Sequence, residues 1–352
     1  MKNVKNIIQR RKICNRKGVI DVQFNWIFVM IAGFVIFLFI ISIVFAQKKN
    51  ADTQAGFTAI SQITALLQGK QQTPNVYSEI SLPRTNMNFK CDESTEYFTF
   101  KIENGERTPL PTEILFAPED LSTNKIMVWS QAFDLGFPVN IFTYITTADS
   151  IILIYNTTSS SDAAQVYNNL PSNVTKKYVS NDVDIARYKG YARTRIICFA
   201  DTDVDCPTAA KYDYMIITPS PGSGLYDYGN VTFHTKPVVI DKLSQTVPYI
   251  TKSGLYGAIF SDNPQYYNCQ MSRALKQFEV KRSLVDSRLT LIQDALPDGD
   301  CKTTINASLD FEIYNMRNPS LNQDNMTSLN KNSKYLDTSN TNLILDSCPK
   351  IY

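Results

Sequence analysis

The chain has 352 residues, 35 of them basic and 33 acidic, so its formal net charge at pH 7 is only +2. This balance does not provide the strongly basic surface that a nucleic acid partner requires. The only histidine is His234, in the strand-like segment VTFHT, so any Ser-His-Asp or Cys-His site would have to use it. The sequence contains no Walker loop, no dinucleotide-binding fingerprint and no G-x-S-x-G or H-E-x-x-H motif. We therefore predict no nucleic acid partner, no cofactor and no catalytic residue.

A long uncharged segment lies near the N-terminus. Residues 24–46 carry no charge, and as a helix they would be about 34 Å long, enough for the ~30 Å hydrocarbon core of a bilayer. The segment exceeds the apolar part of a secretory signal, about 7–15 residues, although Val44 and Ala46 leave cleavage open as an alternative. The segment therefore predicts a single-pass anchor in the cell membrane, with the lipid bilayer as a partner.

The flanks of this segment predict its orientation. Residues 1–23 contain seven basic side chains and one acid, Asp21, whereas only Lys48 and Lys49 are close on the other side. Basic residues are retained in the cytoplasm, so we expect a cytoplasmic N-terminus and an extracellular C-terminal part. The seven basic residues are Lys2, Lys5, Arg10, Arg11, Lys12, Arg16 and Lys17.

The part beyond residue 46 is about 306 residues long, enough for one large or two ordinary domains. It has 28 basic and 32 acidic residues, a net charge of −4. Residues 76–250 consist mainly of short runs rich in β-branched and aromatic residues, separated by turn formers such as Asn104-Gly105. One helix is predicted at about 160–170. The fold class is therefore predicted as α+β with a mixed or antiparallel sheet.

Two helical patterns flank this β-rich region. After the membrane segment, apolar residues recur on one helical stripe up to Gln68, which predicts a juxtamembrane helix that Gly69 and Pro74 end. That stripe consists of Phe57, Ile60, Ile63, Leu66 and Leu67.

The second pattern predicts a long helix over residues 269–296, with eight positions spaced alternately by four and three residues. Such a seam packs either on its own domain or against a membrane or envelope protein partner, with Arg282 then setting register. The seam is Met271, Leu275, Phe278, Arg282, Val285, Leu289, Ile292 and Leu296.

The end of the chain has a different composition. Residues 315–342 are rich in Asn and Ser with little apolar pattern, which predicts a long loop. The resulting organisation has five parts: a cytoplasmic tail (1–23), a transmembrane helix (24–46), a juxtamembrane helix and linker (47–75), a β-rich ectodomain (76–250), and a helical segment with a loop and a disulfide-tied C-terminus (251–352).

Six of the seven cysteines lie beyond the predicted span, an even number that predicts three disulfides in an oxidising compartment, with fifteen connectivities. Cys14 precedes the span. The short loop CFADTDVDC favours a Cys198–Cys206 pair, and we expect Cys269–Cys301 and Cys91–Cys348 for the others. A zinc site with these cysteines as ligands is the alternative to disulfides, but the sequence contains no C-x-x-C spacing.

Two further motifs are candidate sites. In DTDVDC the acids Asp201, Asp203 and Asp205 recur at every second residue, like the first ligands of a calcium loop, but Cys206 and Tyr212 replace its Gly and Glu. Five sequons beyond the span are candidates for N-glycosylation. Their asparagines are Asn156, Asn173, Asn230, Asn306 and Asn325.

The layout resembles two protein groups. The basic tail, QFNWIFVMIAG, an amphipathic continuation, SEISLP and a late SCPKIY resemble single-span surface proteins of small-genome archaea, a resemblance that implies no assigned function. A weaker resemblance is to type IV pilin-like proteins, through a basic stretch ending Lys17-Gly18 and a long N-terminal helix before a β-rich head. That resemblance implies cleavage after Gly18, but Gln23 replaces the usual Glu and the head is unusually large.

These observations predict a membrane-anchored extracellular protein with a non-catalytic structural or interaction role, within an envelope complex. A minor pilin-like component is one alternative. An extracellular hydrolase acting on envelope sugars or peptides is the other, since any two carboxylates that fold together could serve it. A cleft with converging carboxylates would favour the hydrolase, and an apolar patch beside the 269–296 helix would favour assembly.

Overall fold

In a computed structural model the chain divides into two compact units, Met1–Ala55 and Gly56–Tyr352. The described residues are 26–45, 47, 61, 63–65, 69, 73–92, 97–102, 107–110, 112–155, 161–199, 213–234, 244–297, 299–305, 316–317, 319–350 and 352.

The first unit contains helix α1, Trp26–Phe45, whose 20 residues have a mean hydropathy of 3.2 and of which none is buried. At 1.5 Å per residue it is about 30 Å long, so by length and composition it can cross a bilayer. This agrees with the apolar helix predicted from sequence. Most of the predicted juxtamembrane helix lies outside the described residues; Gln47, Ser61, residues 63–65 and Gly69 are helical.

The second unit begins with a six-stranded sheet in the order β3-β2-β1-β5-β6-β4. Its neighbouring strands are antiparallel except β4 and β6, which are parallel. The register of the long β1 shifts between Ser81 and Thr85, around Pro83, because proline cannot donate to a ladder. The strands are β1 (Tyr77–Cys91), β2 (Phe98–Ile102), β3 (Thr108–Pro109), β4 (Ile114–Phe116), β5 (Asp120–Asp134) and β6 (Pro138–Thr147).

A second six-stranded sheet follows after a two-residue turn, in the order β12-β11-β10-β9-β7-β8. Strands β8, β7, β9 and β10 are parallel, and β11 and β12 add antiparallel pairs. The two mixed sheets confirm the α+β class. The elements are β7 (Ser150–Tyr155), α2 (Ser161–Asn169), β8 (Lys176–Val179), α3 (Asp182–Ala186), β9 (Arg193–Phe199), β10 (Tyr214–Pro219), β11 (Tyr228–His234) and β12 (Gln245–Ile250).

Both sheets bury residues on both faces, and alternate residues of a strand serve different cores. The long strand β5 of the first sheet shows the alternation. Its Ile126 and Val128 belong to a smaller apolar cluster on one face of that sheet. Met127 and Trp129, on the other face, belong to the largest apolar cluster of the unit, which is called the main core below.

The second sheet divides its residues in the same way. Ile152 and Ile154 of β7 belong to the main core, whereas Ile151 and Leu153 form a smaller cluster with Ile196 of β9. This cluster covers the face of β7 and β9 that points away from the main core. The main core therefore draws on both sheets.

Helix α4 (Thr251–Phe260) follows β12 directly and is buried on every side from Ser253 to Phe260. A helix that is apolar all round belongs in the interior, and α4 contacts strands of both sheets. Gly257 permits this packing, because a Cβ atom there would lie 2.8 Å from the ring of Phe116.

Helix α5 (Pro264–Ala295) confirms the long helix predicted from sequence. It begins at the N-cap Asn263, whose side-chain oxygen accepts from the backbone N–H of Tyr266 at 2.7 Å. Pro264 occupies the first turn, where it loses no hydrogen bond. The predicted seam faces the helix's own unit: five of its residues are buried, and Val285, Ile292 and Leu296 are partly buried against the main core.

The predicted loop over residues 315–342 is wrong for the described positions from Gln323 onward, which form a helix. After α6 (Asp300–Thr304), helix α7 spans Gln323–Leu345. Asn and Ser occupy half of the buried positions of this helix. Its apolar residues are therefore widely spaced, and the sequence does not show the helical repeat of apolar residues. The buried residues are Met326, Leu329, Asn332, Ser333, Leu336, Ser339, Asn340 and Leu343.

Two of the predicted disulfide pairings are also wrong, since the bonds join Cys91 to Cys269 and Cys301 to Cys348. The reason is the length of α5. Cys269 lies in its second turn, and the 26 residues to Ala295 rise about 39 Å, which the few residues after the helix cannot retrace to bring Cys301 back. Cys91 ends β1, beside the start of α5.

Candidate interaction surface

The outer face of α5 carries an apolar stripe opposite the buried seam. Val280, Leu284 and Leu291 are 63%, 64% and 70% exposed. With Ser287 they are spaced by four, three and four residues, so at about 100° per residue all four lie on one face. The hydroxyl of Ser287 donates to the carbonyl of Ser283 at 2.9 Å, so it needs no outside partner.

A groove of about 400 Å³ opens at the N-terminal end of this stripe and shares Val280 with it. Its walls come from α5, from the start of β6 and from the segment before β4. The lining residues are Thr112, Val139, Asn140, Lys276, Gln277, Val280 and Lys281.

Side-chain hydrogen bonds hold the walls of this groove together. The amide of Gln277 donates to the carbonyl of Thr112 at 3.0 Å and accepts from the side chain of Asn140. The oxygen of Asn140 in turn accepts from the N–H of Ile141 at 2.6 Å. The groove is therefore formed before any occupant arrives, which limits the entropy lost on binding.

The N-terminal half of α5 is fixed to the edge strand β4, whose outer side would otherwise expose unpaired backbone groups. The Tyr266 hydroxyl donates to the carbonyl of Leu115 at 2.8 Å, and the N–H of Leu115 donates to Gln270 at 3.4 Å. Arg273 donates to Gln270 at 3.0 Å and to the carbonyl of Leu110 at 2.8 Å. These bonds and the Cys91–Cys269 disulfide hold the stripe in a fixed orientation.

The charge around the groove is mixed. Lys276 and Lys281 lie in its lining, and the lining residues that the structure describes include no carboxylate. Close to Lys281 lies the exposed Asp134, whose pKa is raised by partial desolvation and by Asp337 on α7, while Lys281 opposes the rise. The groove thus combines an apolar wall with a polar rim, a composition that suits an apolar side chain of a partner.

A second cavity of about 20 Å³ is too small for more than a water molecule. It lies beside Arg193 and Arg195, both of which bond to the carboxylate of Asp262 between α4 and α5. Asp262 also accepts from the N–H of Glu119 at 3.1 Å, and Arg195 donates to the carbonyl of Ser261 at 2.6 Å. This cluster joins the two sheets to the helices and leaves no room for a substrate.

Of the cysteine and calcium candidates in this region, the structure describes only one. Cys198 is buried in β9, and its predicted partner Cys206 lies outside the described residues, so that pairing stays a prediction. The calcium candidates Asp201, Asp203 and Asp205 also lie outside them. Within the described part of the chain, no group of three or more His, Cys, Asp or Glu side chains could hold a metal ion.

The sequons differ in accessibility. Asn173 is exposed in a turn before β8. Asn230 donates to Gln323 of α7 at 2.6 Å, and Asn325 donates to Ser320 near the start of α7. Asn156 and Asn306 lie outside the described residues.

The exposed stripe on α5 was missed from sequence, although a signal existed. The spacing of the seam indicates one apolar face of α5, and Val280, Leu284 and Leu291 form a second apolar repeat on the opposite face. Only the structure decides which of the two faces is buried.

Comparison with family models, with curated proteins and with solved structures finds no match to this chain.

Proposed function

We propose that this chain is a single-pass membrane protein whose extracellular unit has a non-catalytic, structural or interaction role, within an envelope complex. The single observation that carries the proposal is the exposed apolar stripe on α5, beside a preformed groove whose described lining is apolar, amide and lysine. Apolar surface that a fold holds rigidly and leaves exposed is typical of a protein–protein contact.

The anchoring part of the proposal is supported by α1, none of whose 20 residues is buried. A soluble protein would have to bury such a helix, because its side chains are apolar on every face. The two disulfides support an extracellular location, since such bonds persist in oxidising compartments.

The same groove argues against the hydrolase alternative. A glycoside hydrolase needs two carboxylates flanking the substrate, whereas the groove lining offers amides, lysines and apolar groups. The carboxylate of Asp262 is already bonded to two arginines and a backbone N–H. Processing after Gly18, as in pilin-like proteins, is a separate question that the N-terminus of the mature chain answers.

The first experiment is mass spectrometry of the N-terminus of the native chain, with carbonate extraction of the membranes. We expect an intact cytoplasmic end and a chain that stays with the membranes. A start at Val19 would instead identify pilin-like processing, and a start at Gln47 in a carbonate-soluble chain would refute the anchor.

A second experiment tests orientation by translating the full chain with endoplasmic reticulum microsomes. The exposed Asn173 should gain a glycan, and the part beyond α1 should resist added protease until detergent is present. The control variant Asn173→Gln should lose one glycan increment. A protease-sensitive chain without glycan would refute the orientation.

A further inference from the structure

We propose that the side chains of Lys252 and Asn169 form an intramolecular amide bond, with release of ammonia. The inference goes beyond the proposed function and does not depend on it. Its starting point is a contact in which the Nζ atom of Lys252 donates to the Oδ1 atom of Asn169 at 2.7 Å, although 83 residues separate the two. The bond would tie the end of α2 to the start of α4, two helices that the disulfides of the described chain do not join.

The chemical nature of this pair differs from that of a lysine ion pair. Lys125 and Lys334 donate to the carboxylates of Glu79 and Asp227, each at 2.7 Å. An ionised carboxylate resists attack by an amine, because it already carries negative charge and would have to lose an oxygen. Lys252 contacts a carboxamide, which is a neutral acyl group whose nitrogen can leave as ammonia.

The amine of Lys252 is partly shielded from water by two aromatic rings. Its Nζ atom lies 5.3 Å from the centre of the Tyr226 ring and 5.9 Å from that of the Tyr256 ring. Burial lowers the pKa of Lys252, which raises the fraction of the neutral amine. The neutral amine is the form of lysine that attacks an acyl carbon.

The carboxamide of Asn169 is held by protein groups although the residue itself is exposed. Its Oδ1 atom accepts from Lys252, and its Nδ2 atom donates to the carbonyl of Gln165 at 2.8 Å. The Tyr226 hydroxyl also hydrogen-bonds to this side chain and lies 3.1 Å from the Tyr256 hydroxyl. Tyr226 therefore provides an O–H group at the reacting carboxamide, where it can stabilise negative charge on Oδ1.

The backbone holds both reacting side chains in place. Thr251, which directly precedes Lys252, has a φ of +65°, a costly conformation for a β-branched residue. Its N–H donates to the carbonyl of Asp227 at 2.8 Å, which fixes the start of α4. Helix α2 is fixed by Ala163 and Val166, which are buried in the main core. Two reacting groups on fixed elements have a high effective concentration.

The reaction balances with the atoms of the two side chains. The neutral Nζ atom of Lys252 attacks the Cγ atom of Asn169, and the carbonyl electron pair moves to Oδ1, beside the Tyr226 hydroxyl. A proton passes from Nζ to Nδ2, the Cγ–Nδ2 bond breaks as the carbonyl re-forms, and ammonia leaves into the solvent. The product is about 17 Da lighter, the mass of ammonia, and the step needs neither an oxidant nor a co-reactant.

The experiment is tryptic peptide mapping by mass spectrometry of the full chain purified from membranes, after reduction and removal of N-glycans. Trypsin should not cut at Lys252, and the peptide that contains it should be joined to the peptide of Asn169, with the mass of ammonia lost. Complete cleavage at Lys252 would overturn the proposal. Loss of ammonia within the Asn169 peptide alone, as in a succinimide, would also overturn it.

Lys176 is an internal control in the same digest. Burial lowers its pKa as well, and its Nζ atom lies 5.1 Å from the centre of the Tyr167 ring. It donates to the backbone carbonyl of Leu170 at 2.6 Å, however, a group with no nitrogen that can leave without cutting the chain. Trypsin should therefore cut at Lys176, and a cross-link there would show that proximity to any carbonyl suffices, which would overturn the proposal.

Variants then test the two reacting groups. Lys252→Arg keeps a cation over the rings but lacks the amine, and Asn169→Ala lacks the acyl group. Each variant should abolish the linked peptide, whereas Lys176→Arg should leave it unchanged. Persistence of the linked peptide in either of the first two would overturn the assignment of the bond. Far-UV circular dichroism verifies that each variant is folded.

Tyr226→Phe tests the hydroxyl at the reacting carboxamide, because it keeps the ring that covers Lys252. In a chain freshly translated into lipid vesicles, this variant should form the linked peptide about 100-fold more slowly than the parent, as expected for the loss of one donor to the developing oxyanion. An unchanged rate would overturn the activation by Tyr226 on which the proposal relies.

Discussion

Cys91 and Cys269 are joined by a disulfide although 178 residues separate them, with their Cα atoms 5.9 Å apart. The bond ties the end of β1 to the second turn of α5. Cross-linking so distant a pair restricts the unfolded chain strongly, and removal of a native disulfide typically costs about 2–5 kcal/mol.

The first prediction is that Cys91→Ala/Cys269→Ala lowers the free energy of unfolding by about 2–5 kcal/mol. Chemical unfolding in detergent, followed by tryptophan fluorescence, measures the change; Trp129 lies in the main core. Cys301→Ala/Cys348→Ala, which opens a loop of 47 residues, should cost slightly less. An unchanged midpoint in the first double variant would contradict the bond.

The disulfides also mark what sequence could and could not predict. The helix predicted over residues 269–296 already excludes a Cys269–Cys301 bond, because its rise of about 40 Å separates the two cysteines. The proximity of Cys91 to Cys269, by contrast, depends on the order of strands in the first sheet. No local pattern predicts that order.

The second prediction concerns Asp262, which pairs with Arg195 at 2.7 Å while the two side chains are only 23% and 13% exposed. Asp262→Asn leaves two arginines without their counter-charge and should lower the free energy of unfolding by roughly 2–4 kcal/mol. Glu79→Gln is the matched control, because the Lys125–Glu79 pair is exposed and should be worth less than about 1 kcal/mol. Equal losses would mean that burial does not govern these pairs.

The third prediction concerns Arg282 in the apolar seam of α5. It bonds to Glu279 at 2.8 Å, with its side chain only 6% exposed. Arg282→Met should leave stability unchanged or raise it by about 1–4 kcal/mol, since a buried ion pair often gains nothing over apolar packing. Glu279→Gln should lower stability by roughly 1–3 kcal/mol, because the arginine stays buried. The opposite order of the two midpoints in urea would refute this account.

The fourth prediction tests how α7 packs. Leu336 is fully buried, so Leu336→Ala should lower the free energy of unfolding by about 2–5 kcal/mol. The neighbouring Tyr335 is exposed, so Tyr335→Ala should lower it by less than about 0.5 kcal/mol. Gly136, at φ +76°, has Leu336 2.9 Å from where a Cβ would lie. Gly136→Ala should therefore also destabilise, by about 1–3 kcal/mol. Thermal unfolding of the three variants measures this, and equal melting temperatures would rule out the packing.

Helix α7 also shows why part of the fold was not predictable. Its buried stripe alternates leucine and methionine with Asn332, Ser333, Ser339 and Asn340, so hydropathy alone indicates a loop. Hydrogen bonds within the helix compensate for burial: the Ser333 hydroxyl donates to the carbonyl of Asn330 at 3.1 Å, and the Asn332 amide donates to the hydroxyl of Ser328 at 3.5 Å. The β-rich region, whose runs are apolar and β-branched, was predictable for the opposite reason.

The last prediction concerns pH and Asp134. Asp134 lies at the surface, but partial desolvation and then the nearby Asp337 raise the pKa of its carboxyl in the folded chain, so the folded state binds the proton more tightly than the unfolded state does. The ionised carboxylate therefore costs stability above the folded pKa, and this cost disappears below the unfolded value of about 3.9. Asp134→Asn should melt at a higher temperature than the parent at pH 7, and the two curves should converge as the pH falls toward 4.

Lys281 provides the control for this assignment, because it opposes the rise in the pKa of Asp134. Lys281→Gln should lower the melting temperature of the parent at pH 7 but have a much smaller effect in the Asp134→Asn background, where no charge remains for it to balance. Circular dichroism melts of the four chains between pH 4 and pH 7 measure both effects. An Asp134→Asn gain that does not depend on pH would show that packing, and not the carboxylate charge, causes it.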